Sequence, residues 1–158
     1  MRVEWIIMAD SAEVINGKLY LMGGGWDRLV VNQSFPLQQM VSIAVSFAVG
    51  WDETNIRQPM EIRIEDTEGK QLARVNGEIE AGRPRGITPG QTQRVQLAFK
   101  LPLRFEKPDT FSVTAYIADE IAGRSGFSIA AGRKPKQQQQ QKQQQPEAGK
   151  KKKRKLDA

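Results

Sequence analysis

The chain contains neither cysteine nor histidine. Without cysteine there is no disulfide, no thiolate nucleophile and no zinc–thiolate site. Without histidine the commonest general base and the commonest transition-metal ligand are gone. These two absences weigh against an enzyme more than anything else in the chain. Long apolar runs are missing too, none approaching the roughly 20 residues that span a bilayer. The opening M-R-V-E-W-I-I-M-A-D is interrupted by Glu4 and is too short for a signal peptide, so it reads as a strand and the expected location is cytoplasmic. Nowhere do apolar residues recur with the 3.6-residue period of a helix.

Charge is present but unevenly spread. Of the 24 Lys/Arg and 18 Asp/Glu, ten and two fall in 133–158 (+8), which leaves 14 and 16 in 1–132 (−2). The cationic character therefore belongs to the tail, and the rest has no basic field to draw nucleic acid onto itself. The tail is also Gln-rich and has nothing to bury, so it is expected to be disordered. The predicted organisation is a domain over 1–132 and a disordered basic tail over 133–158.

The domain is organised around Val14–Asp27, V-I-N-G-K-L-Y-L-M-G-G-G-W-D. Asn16-Gly17 between apolar runs is a strong hairpin signal, because both central residues of such a turn take positive φ. Met1–Asp10 and Lys18–Met22 are therefore expected to pair, with Ser11–Val14 as a linker. Further strands are predicted over 28–31, 40–49, 60–65, 71–80 with a bulge at Gly77, 93–103, 110–118 and 124–130. The clearest is Met40–Val49, where Val41, Ile43, Val45, Phe47 and Val49 alternate with Ser42, Ala44, Ser46 and Ala48. Eight or nine short strands with regular turn signals predict an all-β fold, an antiparallel β-sandwich of immunoglobulin-like type. A closed barrel is the alternative. Val41, Ile43, Val45, Phe47, Ile62, Ile64, Leu97, Phe99, Val113 and Ile117 are expected to form one buried cluster.

Trp5, Ala9-Asp10, Gly17-Lys18-Leu19-Tyr20 and Gly23-Gly24-Gly25-Trp26-Asp27 together resemble the pattern of a family of short bacterial all-β proteins known only as a domain of unknown function. Trp51-Asp52-Glu53-Thr54-Asn55, Gly82-Arg83-Pro84 and Leu101-Pro102-Leu103 fit it as well. The resemblance covers about 1–130 and implies a stand-alone β domain. It implies no activity.

If every strand reverses direction, the loops after the second, fourth, sixth and eighth strands share one end. That end would gather Trp26, Asp27, Trp51, Asp52, Glu53, Asn55, Arg83 and Arg85, beside Asp119 and Glu120, as a candidate binding site. The first reading of each Trp is nevertheless a plug at an end of the sandwich, with its Asp capping the local turn. Asp27, Asp52 and Glu53 around a calcium ion is a further alternative, although no loop has the spacing of a known calcium motif. A hydrolase using paired loop carboxylates is weaker still, since nothing selects a pair. No cofactor and no metal is expected. Gly23-Gly24-Gly25 is not a phosphate loop, because no Lys or Ser/Thr and no helix follows it.

The expected function is a non-enzymatic binding or structural module that holds a protein partner with loops at one end. The alternative is association with nucleic acid or an anionic surface through Lys150, Lys151, Lys152, Lys153, Arg154 and Lys155. If the tail makes that contact, affinity for duplex DNA falls steeply with salt, with a log–log slope up to about five or six. A salt-independent affinity would exclude it.

Overall fold

The computed structural model describes residues 1–132. The tail, with Lys150–Lys155 in it, lies outside them. Among the described residues there are nine strands: β1 Arg2–Ile15, β2 Lys18–Gly24, β3 Arg28–Val31, β4 Leu37–Val49, β5 Gln58–Asp66, β6 Gln71–Ile79, β7 Gln93–Phe105, β8 Asp109–Ile117 and β9 Glu120–Ala131. One 3-10 turn, Trp51–Glu53, follows β4. The strands form two sheets in the orders β2-β1-β4-β7 and β3-β9-β8-β5-β6. The architecture is a two-sheet sandwich whose ladders are all antiparallel except β3–β9, which is parallel.

Tight turns close the hairpins where expected. Asn16 and Gly17 both have positive φ (50° and 72°), the requirement that Asn-Gly meets cheaply. Ala118 and Asp119 also have positive φ and make a two-residue turn. β9 therefore starts at Glu120 rather than Arg124, and the longer turn expected at Asp119–Gly123 is absent.

The inner faces make one core. Val41, Ile43, Val45 and Phe47 from the first sheet meet Ile62, Ile64, Val113 and Ile117 from the second. At one end Phe105, Phe111 and Phe127 cluster with ring centroids 5.0–6.2 Å apart. Phe99 and Leu97, expected in the buried set, are only half-buried and pack against it. The reason is position: β7 is the edge of its sheet, so no strand among the described residues pairs along its outer flank.

β1 departs most from expectation. A register shift between Val3 and Trp5 swaps the faces, so Val3, Ile6 and Met8 point inward opposite Phe47, Val45 and Ile43. Trp5, Ile7 and Ala9 lie on the outer face opposite Ser46, Ala44 and Ser42. β1 then continues through Ile15, so Ser11–Val14 is strand, not linker. Beyond Ala9 it leaves β4 and pairs only with β2. Ala12 and Leu19 of that hairpin pack with Ala44 and Ala98 on the outer face of the sheet, so the hairpin folds back across its own sheet. This explains the small residues of β4: Ser42, Ala44, Ser46 and Ala48 are buried along with the large ones. The bulge expected at Gly77 is absent, since Gly77 pairs regularly with Met60; the shift in that ladder is at Ile64/Glu65.

Register defines two ends. β4 starts opposite Phe105 and finishes opposite Gln93, beside the start of β1. Phe105 touches Phe111 and Phe127, so the Leu37 end of the first sheet matches the Asp66 end of the second. At the other end Gly123 lets β9 approach β1, because a Cβ there would overlap Val3.

Phe47→Ala is expected to lower the unfolding free energy by about 3–5 kcal/mol in denaturant titration. Phe99→Ala should cost clearly less. Equal penalties would contradict the placement of Phe99 at a sheet edge.

Candidate functional site

The loops after β4, β6 and β8 do share one end, where Met1, Glu53, Gln58, Glu120 and Ile121 border one shallow cleft. Here Trp51-Asp52-Glu53-Thr54-Asn55 meets the long loop carrying Arg83 and Arg85. The Arg83 guanidinium lies 4.2 Å from the centroid of the Trp51 ring. Its Nε donates to Thr54 Oγ1 at 2.6 Å and its Nη2 donates to the Trp51 carbonyl at 3.2 Å. Thr54 is buried, and its hydroxyl donates to the same Trp51 carbonyl at 2.7 Å. The Asn55 amide donates to the Ala81 carbonyl at 2.8 Å, and Gln93 Nε2 to the Gly82 carbonyl at 2.9 Å. These bonds tie two loops that are far apart in sequence into a single cap.

The carboxylates have separate roles. Glu53 accepts from the Gly50 amide at 2.8 Å and pairs with the Met1 amino group, so it closes the 3-10 turn and anchors the start of β1. Asp52 is exposed and makes no side-chain hydrogen bond among the described residues. Arg85 is exposed, and Asn55 takes a positive φ of 58°. Nearby Ile56 and Ile121 are 48% and 59% exposed.

Trp26 and Asp27 do not join this end, which corrects the expected arrangement. Trp26 stands edge-on to Phe127, 5.9 Å between centroids, within the aromatic cluster of the opposite half. The Asp27 carbonyl accepts from the Ser128 amide at 2.8 Å. Parity failed because β2 ends opposite Ala9, in mid-sheet, and the chain then crosses to the other sheet as β3, parallel to β9. Trp26 thus packs against the core, and the Asp27 carboxylate makes no hydrogen bond among the described residues. With Asp27 and Asp52 towards opposite ends, the calcium set considered above cannot assemble.

A second depression, about 310 Å³, opens at the Phe105 end between the Asp66–Lys70 turn and Lys107–Asp109. Most of its charged groups are already engaged with one another. Asp66 Oδ1 accepts from the Glu68 and Lys70 amides, both at 2.9 Å, and Lys107 pairs with Glu68 at 3.1 Å. Thr67 donates to Asp109 at 3.1 Å. This is a set of turn caps over a phenylalanine floor.

Sequence reasoning missed Thr54, Ile56 and Ile121, and also the Glu4 site on the outer face at the Trp51 end. Glu4 is the bulged residue of β1. It accepts from Ser46 Oγ at 2.8 Å and is gripped by both Nε and Nη2 of Arg94, which hold its carboxyl at about 2, against an ordinary value near 4.5.

Fold and site define a class: a two-sheet β-sandwich domain with a locked loop cap at one end. A family model described as "Family of unknown function (DUF6941)" matches residues 4–130, and the chain belongs to that family. No curated protein matches it. No helix among the described residues is long and apolar enough to cross a membrane.

Because the Glu4 carboxyl is more acidic in the native state, its pairing stabilises the fold fully above about pH 4.5 and is lost as pH falls toward 2. The stability gap between wild type and Glu4→Gln should therefore shrink between pH 6 and pH 3, and shrink at high salt. A gap independent of pH would show that the ion pair contributes nothing.

Proposed function

We propose that the protein is a non-enzymatic binding module that holds a protein partner with its Trp51 end. The observation that carries this reading is the Arg83–Trp51 stack. Trp and Arg dominate the energetics of protein interfaces, and fixing them before contact removes much of the ordering cost of binding. Both side chains remain partly open to solvent while their backbone anchors are tied down. Ile56 and Ile121 add exposed apolar surface, and Asp52, Arg85, Asp119 and Glu120 supply a mixed-charge rim. That composition, an apolar centre in a polar border, suits a protein surface better than a small substrate. Charge supports a second reading, in which the +8 tail contacts nucleic acid or an anionic surface and the −2 domain is carried along.

The test is capture from cell extract with the full-length chain as bait. Ile56→Asp and Arg85→Glu alter exposed side chains and should leave the melting temperature within a few degrees of wild type. Either should reduce recovery of a specific protein by roughly tenfold or more, while deletion of 133–158 should not. Recovery unchanged by both substitutions, but lost with the tail, would overturn the reading in favour of the second.

A further inference from the structure

Four strands form sheet edges: β2 and β7 in the first sheet, β3 and β6 in the second. Natural sandwiches blunt such edges with charge, proline or brevity, because a bare edge templates pairing with another chain. Three of these four are blunted. β7 carries Arg94, Lys100, Arg104 and Pro102, and Pro102 has no N–H to donate. β6 carries Arg74 and Glu78, and β3 has only four residues, starting with Arg28. β2 has no charge after Lys18 and no proline, and among the described residues it pairs with β1 alone. It also shows the densest exposed apolar surface of the domain, with Met22 at 72%, Tyr20 at 54% and Leu21 at 38%.

We infer that β2 is the interface of a symmetric homodimer, formed by antiparallel pairing of Lys18–Met22 with the same segment of a second copy. The segment reads K-L-Y-L-M and complements itself about Tyr20. With the two-fold axis there, Tyr20 faces Tyr20, Leu19 faces Leu21, and Lys18 faces Met22. Opposed residues point to the same side of the sheet, so the aromatic and aliphatic pairs fall on separate faces. No charge faces a like charge in this register. The positive φ of Gly23 (57°) bends the strand just past Met22, where the ladder between copies stops, while β2 stays paired with β1 to Gly24.

A second copy fits this edge better than an unrelated strand or a head-to-tail array. Growth by β2 on β7 would meet Pro102 and three cations, so only the closed, isologous pairing remains. Because β2 pairs with the Ala9–Ile15 half of β1, the dimer leaves the Trp51 end free, and the two contacts do not compete.

Sedimentation of the full-length protein from about 1 to about 500 µM, a range suited to a small interface, should show a concentration-dependent species of twice the monomer mass. Met22→Lys sets two ammonium groups opposite each other at both ends of the ladder, and should weaken the dimer roughly tenfold. Met22→Glu sets a carboxylate opposite Lys18 and should tighten it several-fold. Met22 is so exposed that neither change should move the melting temperature. The cysteine-free chain allows a second measurement: Tyr20→Cys, on the axis, should oxidise rapidly to a disulfide dimer, and Lys100→Cys on β7 should not. A wild type that stays monomeric throughout overturns the inference. So does a dimer that Met22→Lys and Met22→Glu weaken alike, or equal crosslinking at both positions.

Discussion

The rest of the molecule depends on β4 being buried on both faces. Its large residues, Val41 to Val49, make the inter-sheet core, and its small residues, Ser42 to Ala48, let a second layer come down on the opposite face. That second layer is the chain's own β1–β2 hairpin, whose Ala12 and Leu19 reach Ala44 and Ala98. A strand with an ordinary polar outer face would leave the hairpin nowhere to pack, and a Leu in place of Ala44 would hold it away. The arrangement has a polar cost. Ser42 Oγ is buried without a hydrogen-bond partner, a loss of order 1–3 kcal/mol. Close packing on two faces offsets it.

This constraint shapes both surfaces discussed above. Folding the hairpin back over the sheet leaves β2 as a free, apolar edge rather than an interior strand. It also releases the chain in mid-sheet at Gly24, from where it crosses to β9 and carries Trp26 into the aromatic cluster. The Trp51 loop follows the opposite logic. It leaves β4 at the true end of the sheet, where the loop after β6 ties it through Arg83, by stacking and hydrogen bonding together, and the Met1 amino group ties it through Glu53. One Trp packs against the core and the other joins the cap because their strands end at different heights.

Much of the fold was legible in the chain because β-structure leaves a strong local signature. Two-residue alternation located most strands to within two or three residues, and Asn16-Gly17 announced the first hairpin. What the chain did not show shares a cause. The Glu4 bulge sets Ile6, and not Trp5, on the core face, and no local pattern marks it, since both faces of β1 are apolar here. Phe99 and Val45 look alike in alternation, yet one lies on an edge strand and the other in the centre. Part of the site was legible too. The aromatic and acidic residues at 51–55 and the arginines at 83 and 85 are conspicuous in loops between apolar strands, whereas Thr54 and Ile56 carry no signal of their own.

By itself, the sequence determined chemistry and local form: no thiol or imidazole, a cationic tail on a mildly acidic domain, extended strands and the places where they turn. These follow from side-chain chemistry and from steric limits on single residues, which act over a few positions. Tertiary structure alone decided which strands became edges, which Trp packs on the phenylalanine cluster, that Arg83 would lie on Trp51, and that one ladder would be parallel. Such outcomes depend on contacts between residues up to about a hundred positions apart, such as Asp27 with Ser128. They are chosen by how two whole sheets can close over a shared core, and no short stretch of the chain encodes that choice.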